Sequence, residues 1–208
     1  MTPGSTDAEL LELGAATLGE SGGLPMAARI RAAWPGARLA GPAYTVACAP
    51  ADNLAIHVAV PRAGSGAVLV VDAAAVPERG YWGEVLTTAA EAAGVAGLVI
   101  DGGVRDVAAL EAHGFPVFSA LVALPGASKN GPGAVGGRVE VGGVALQAGD
   151  WVVADADGVT VVPAARLDEV LEAGRARAAK EQGMFGELRS GRTTMDLLGL
   201  DSSPIEGA

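Results

Sequence analysis

The chain has 208 residues, half of them hydrophobic but few aromatic, with a formal net charge of −10 and one cysteine, Cys48. One domain is expected at this length. The acidic balance argues against a nucleic-acid partner, and one thiol excludes an intrachain disulfide framework. The opening MTPGSTDAEL lacks a basic segment followed by an apolar run, and no run approaches the roughly 18 apolar residues of a membrane span. The cytoplasm is the expected location, with no membrane partner.

Residues 7–20 predict a first helix, with Leu10, Leu11 and Leu13 on its apolar face and Asp7 placed to cap it. A second helix is expected from about Met26 to Ala33, stopped by Pro35 and Gly36. Residues 1–38 thus form an N-terminal helical region of a single domain covering 1–208. Short apolar runs bounded by Gly, Pro or Asp follow at 43–49, 67–72, 97–101, 116–118, 151–155 and 159–162. Those at 67–72 and 97–101 are apolar on both faces, as buried central strands are. Helical stretches at 52–60, 81–93 and 105–113 lie between strand candidates, with Gly94 and Gly114 where a helix-ending glycine belongs. Strands alternating with helices predict a layered α/β fold. Residues 138–141 and 144–146 alternate about Gly142-Gly143, a hairpin signature, and the hairpin is expected to join the sheet. A long terminal helix spans 165–189, with Gly174 and Gly183 weakening it and an end expected near Gly183. Residues 201–208 read as a frayed tail.

Two loops carry chemistry. In Leu98–Asp106 a buried strand is expected to end at Asp101, turn through Gly102-Gly103, and open a helix near Arg105. Such a turn puts free N–H groups and a positive dipole end at the sheet edge where α/β proteins bind ligands. Arg105 there suits a carboxylate and Asp106 a hard cation. Equally, Asp106 caps the helix and Arg105 pairs with Glu111 or another surface acid; spacing leaves both open. The second loop, Tyr81–Leu86, follows a strand ending in Asp72 and offers Gly83, exposed N–H groups and Glu84, which ordinary dipole compensation also explains. On one rim, an arginine and two or three carboxylates suit a metal-bound 2-oxo acid.

Other residues carry less. Cys48 reads as a small core residue, and Asn53 and His57, four apart on one helical face, either line a pocket or form a surface pair. His113 reads as structural, and Asp155–Gly158 as a turn that lacks the length of a calcium loop.

On these residues the chain resembles the family of the regulator of ribonuclease E activity A (RraA-like). That family includes class II 4-hydroxy-4-methyl-2-oxoglutarate / 4-carboxy-4-hydroxy-2-oxoadipate aldolases and has also carried a demethylmenaquinone methyltransferase label. The resemblance runs over about three quarters of the chain, from Leu39 to about Gly191. It rests on Gly41–Val46, Asp52–His57, Trp82–Leu86, Asp101–Asp106, Pro116–Phe118, Gly149-Asp150 and Asp155–Val159. The aldolase pattern of an acid, twenty residues, Arg-Asp, four residues and an acid reads here as Glu84, Arg105-Asp106 and Glu111. Aldolase members often carry Asp where Glu84 stands.

The resemblance implies a three-layer α/β/α swivelling (phosphohistidine-like) domain with a C-terminal helix. It also implies a homo-oligomer, trimer or hexamer, with sites at subunit boundaries. Asp106 would anchor Mg²⁺ or Mn²⁺, mostly through water, with Glu84 in the same shell and Glu181 reaching in from a neighbouring subunit. Arg105 and the backbone of Gly83, Glu84, Val85 and Leu86 would hold a pyruvyl group, making Arg105, Asp106 and Glu84 the catalytic set. The implied activity is retro-aldol cleavage of a 4-hydroxy-2-oxo acid to pyruvate, with oxaloacetate decarboxylation as a related reaction. Two alternatives remain: a non-catalytic regulator binding a ribonuclease or other protein, and a lyase repurposed for specialised metabolism.

Overall fold

The computed structural model describes residues 3–206. Twelve strands form: β1 (Leu24–Pro25), β2 (Arg31–Ala32), β3 (Leu39–Ala47), β4 (Val68–Asp72), β5 (Gly80–Trp82), β6 (Gly97–Val104), β7 (Val117–Val122), β8 (Ala134–Val135), β9 (Val139–Val141), β10 (Val144–Leu146), β11 (Trp151–Asp155) and β12 (Gly158–Val162). The helices are α1 (Pro3–Glu20), α2 (Leu54–Ala59), α3 (Glu84–Ala92), α4 (Val107–His113), α5 (Leu167–Arg189), α6 (Thr194–Leu198) and α7 (Ser203–Glu206). Among the described residues no helix is long and apolar enough to cross a membrane.

The centre is parallel: β4 lies between β3 and β6, and β7 follows β6. β11 and β12 add antiparallel strands beside the first half of β3. The two edges are then tied by one short segment: β1 pairs with β12 at one edge and β2 with β7 at the other. The sheet therefore curls around an interior.

Alternation sorts the strand side chains. In β4, Val68 and Val70 face the interior, while Leu69 and Val71 face the layer of α2 and α3. In β11, Val152 and Ala154 point inward and Val153 outward against α1 and α5. The fold is a mixed α/β architecture with helices outside the curled sheet and a C-terminal helix, as the sequence predicts.

The hairpin forms with both turn glycines at positive φ (Gly142 58°, Gly143 77°), as a two-residue primed turn requires. It does not join the main sheet. β9 and β10 pair with each other alone and lie across the interior, placing Val139, Val141, Val144 and Leu146 against Val68, Val70 and Val99. The hairpin is thus a plug.

Residues 24–32 also depart from expectation. The helix predicted over Met26–Ala33 is replaced by β1, a turn and β2. Local helix propensity loses here to pairing with distant strands and to burial of Met26 and Ile30 in the interior core. α1 begins at Pro3, so Asp7 lies within it and caps nothing. A break at Gly14 (φ 78°) divides the helix. The Asp155 carboxylate caps the second part by accepting the Ala15 N–H at 2.8 Å. α5 runs through Gly183 to Arg189. Gly174 is there for contact: a Cβ would sit 3.1 Å from a Leu13 methyl across the α1 interface. Of the residues read as a tail, Ser203–Glu206 form one helical turn, and 207–208 lie outside the described residues.

Candidate active site

β6 does not end at Asp101. It continues through Gly102 and Gly103 to Val104, and both glycines mark close approach rather than a turn. A Cβ on Gly103 would lie 2.5 Å from the Arg79 carbonyl oxygen, where β5 pairs alongside. Asp101 points to the interior instead of the rim. Its carboxylate accepts from Arg29 Nε (3.1 Å) and the Gly142 N–H (3.0 Å), fastening the edge-tying segment and the plug to the central strand.

The turn falls two residues later, at Arg105-Asp106. Asp106 adopts the left-handed conformation (φ 59°) and occupies the N-cap position of α4, but its side chain makes no capping bond. Its Oδ2 instead accepts the Glu84 N–H at 3.1 Å, facing the N-terminus of α3. Arg105 donates its backbone N–H to the Trp82 carbonyl at 2.9 Å, which locks the two loops together. Its Nε stands 3.7 Å from Asp106 Oδ2, and no pair with Glu111 forms among the described residues. A guanidinium, a carboxylate and the open N–H groups of the first α3 turn thus share one corner. Gly83 makes room for them. Its backbone is extended, so conformation does not demand glycine, but a Cβ would lie 2.4 Å from Asp106 Oδ2 and 3.2 Å from Arg105 Cγ.

This corner floors a cleft of about 230 Å³. Val85, Leu86, Asn53, His57 and Lys129 line it together with Gly83, Arg105 and Asp106. Asn53 and His57 therefore take the pocket-lining alternative. Asn53 Nδ2 donates to the Tyr81 carbonyl at 2.8 Å, which fixes the amide orientation and leaves Oδ1 buried without a donor. His57 Nε2 is likewise buried and unpartnered. Burial, then the nearby Lys129 charge, pushes the His57 pKa down, against a smaller opposing effect of Asp52. An unmet buried polar atom costs about 1–3 kcal/mol, a cost the fold carries twice beside this cleft. Lys129 lies in the irregular stretch before β8, with no periodic signal to mark it in the sequence.

Other predicted site residues lie apart. The Glu84 carboxylate does not line the cleft; its Oε1 is 3.6 Å from His113 Nε2, and His113 Nδ1 is 2.9 Å from Glu91 Oε2. Glu111 is exposed on α4. Glu181 pairs with Arg177 one turn earlier on α5, at 2.9 Å. Burial, with Asp52 and Asp72 nearby, raises the Cys48 thiol to about 12, which suits a core residue and not a nucleophile. No group of three His, Cys, Asp or Glu side chains converges among the described residues. The protein thus offers a cation one cleft carboxylate, Asp106, which fits an ion that keeps most of its water, as Mg²⁺ commonly does.

The RraA-like family profile (Aldolase/RraA) matches residues 7–161. A protein of Halalkalibacterium halodurans named "Putative 4-hydroxy-4-methyl-2-oxoglutarate aldolase" is 37% identical over 145 residues, 70% of this chain and 69% of that protein. A crystal structure of an uncharacterized protein from Pseudomonas syringae superposes with a TM-score of 0.80 at 30% identity, covering 91% of each chain. That of Streptomyces coelicolor RraAS2, described as an unusual member of the RNase ES inhibitor RraA protein family, gives 0.73 at 27% identity, covering 91% of this chain and 97% of that one. The fold, the Arg105-Asp106 corner and the profile agree: the chain belongs to the RraA-like family.

Proposed function

We propose that this chain is a divalent-metal-dependent lyase that cleaves a 4-hydroxy-2-oxo acid to pyruvate and a second carbonyl compound, with oxaloacetate decarboxylation as a related activity. The observation that carries this reading is the corner in which Arg105, the Asp106 carboxylate and the α3 N-terminus meet at one cleft. The names of aldolase relatives support it.

A 2-oxo acid presents a carboxylate beside a carbonyl. Arg105 holds the carboxylate as a forked donor. The N–H groups at the start of α3 face the oxo oxygen, where negative charge builds as the C3–C4 bond breaks. Mg²⁺ or Mn²⁺ held by Asp106 through water would polarise that oxo group. Glu84 joins the same shell if its side chain turns from His113, and Glu181 if a neighbouring copy supplies it. The same cleft is lined by Asn53, whose Oδ1 lacks a donor that a substrate hydroxyl could supply, and by His57, whose Nε2 lacks a partner. Lys129 adds a second cation for a second carboxylate. The assembly proposed is a homo-oligomer of the trimeric or hexameric kind.

Pyruvate release from 4-hydroxy-4-methyl-2-oxoglutarate and from oxaloacetate, with and without Mg²⁺ or Mn²⁺, is the direct test. Metal-dependent pyruvate is expected, and Arg105→Ala should lower kcat/KM by about 10²–10³ while leaving the fold intact. An Arg105→Ala enzyme of full activity would sink the assignment. The likeness to RraAS2 favours a second reading, a protein that binds a ribonuclease. A folded, metal-loaded chain that released no pyruvate and retained a purified ribonuclease on a column would establish that reading instead.

A further inference from the structure

Lys129 poses a physical problem. It stands in an irregular glycine-rich stretch and is exposed. Its Nζ reaches the Ala127 carbonyl at 3.4 Å, and among the described residues it forms no ion pair. A lysine so placed would sweep a wide volume and bind nothing tightly, unless its backbone were held.

The backbone is held, from one residue. Asp52 is 3% exposed, and a buried carboxylate is tolerated when its oxygens are bonded. Its Oδ2 accepts from Ser128 Oγ (2.8 Å), the Asn130 N–H (2.7 Å) and the Gly131 N–H (2.9 Å), while Oδ1 accepts the Leu54 N–H (2.8 Å). Three of the four donors flank Lys129 in the chain. The neighbours of Asp52 complete the clasp: Ser128 N–H donates to the Ala51 carbonyl (2.8 Å), and Asn53 N–H to the Ser128 carbonyl (2.9 Å). Gly131 permits the approach, since a Cβ there would lie 3.0 Å from Asp52 Cγ. Ala51 is held at φ 58°, a conformation uncommon for a residue with a side chain and characteristic of functional sites. Burial alone would raise the Asp52 pKa; its hydrogen bonds outweigh that and keep it well below the usual carboxylate range, so the clasp stays charged at neutral pH.

We infer that Asp52 is a positioning residue: it fixes the 128–131 turn so that Lys129 meets the second carboxylate of a dicarboxylic 2-oxo acid whose first carboxylate lies at Arg105. This rests on the oxo-acid reading above and adds to it the residue that sets chain length and charge specificity. Asp52 itself touches no substrate.

The test measures binding by calorimetry in the presence of Mg²⁺, with 2-oxoglutarate as the dicarboxylic probe and pyruvate as the monocarboxylic one. Neither carries a hydroxyl, so affinity is read without turnover. Lys129→Met should weaken 2-oxoglutarate by about tenfold or more, as loss of a charge-assisted bond does, and pyruvate by less than about threefold. Asp52→Asn should show the same selective loss, and the double variant should be no weaker than Lys129→Met alone, since a residue acting through another adds nothing once that other is gone. Ser128→Ala, which removes one of the bonds and leaves the carboxylate, should show a smaller loss of the same selectivity and keeps the question answerable if Asp52→Asn does not fold. Losses that multiply in the double variant, or that fall equally on both ligands, overturn the positioning role while leaving the oxo-acid site standing. A wild-type protein that binds neither acid removes the oxo-acid reading, and this inference with it.

Discussion

An added methyl group at Gly83 would fall 2.4 Å from Asp106 Oδ2, closer than any carbon and oxygen can rest. Asp106 would have to swing away from the α3 N-terminus, taking with it the hydrogen bond from the Glu84 N–H. On the lyase reading proposed above, Gly83→Ala should therefore cut pyruvate release by about a hundredfold or more, since a displacement of about 1 Å at a reacting centre has that scale of effect. The melting temperature should shift little, because the clash lies at a half-exposed carboxylate; activity and thermal melting measured on one preparation separate the two. Asp7 illustrates the opposite case, a charge the fold does not reward. Its Oδ1 is buried without a partner and burial raises its pKa. The unfolded chain then gives up that proton more readily than the folded one. Stability from this group is greatest below the ordinary carboxylate range and is lost as pH rises through the raised folded value. Asp7→Asn should raise the melting temperature at pH 7 and bring no gain at pH 3.

At the scale of elements, the central strands were legible because a run that is apolar on both faces has few other places to go: 67–72 and 97–101 became β4 and the first part of β6. The Arg105-Asp106 pair was marked out by the family resemblance, spacing alone having left its role open. Four things were not legible. Residues 24–32 look helical locally, and their partners, Thr160 and Val161 on one side and Phe118 and Ser119 on the other, are remote in sequence. Gly102-Gly103 signals close approach as readily as a turn, and the choice is made by β5, whose short run carries little signal. Asn53, His57 and Lys129 come to the cleft from two stretches remote in sequence, joined through the Asp52 carboxylate, whose donors are mostly backbone N–H groups that no sequence pattern displays. The direction of the Glu84 side chain depends on His113, which reaches it across two helices. The plug is exposed to a single change at its turn. Gly142 has φ 58°, and a Cβ would lie 2.8 Å from Met26 Cβ. Gly142→Ala should cost about 1–3 kcal/mol, a fall of roughly 2–12 °C in melting temperature for a chain of this size. The pyruvate release proposed above should be unchanged per folded molecule, since Gly142 lies on the interior side of the sheet.

At the scale of the whole molecule, two faces of one sheet carry different duties. The interior, filled by the plug and fastened at Asp101, holds the shape. The outer layer of α2, α3 and α4 carries the cleft at its loops. That division lets loops vary without disturbing the core, as is general where sites sit on rigid scaffolds. It also explains why the glycines of β6 are packing residues even though they stand beside a site.

The segment that ties both sheet edges has a consequence for the order of events in time. β1 and β2 leave the ribosome before the strands they pair with, and β1 has no partner until β12, ending at Val162, has been made. The early-made segment must therefore wait while more than half of the chain is synthesised, and the ring of strands shuts last. Contacts so far apart in sequence are slow to form, and until they do, the edges of β7 and β12 are open to strands of other molecules. Expression at lower temperature should favour soluble protein over aggregate, because apolar association between open strand edges weakens on cooling, even though the finished sheet has those edges covered.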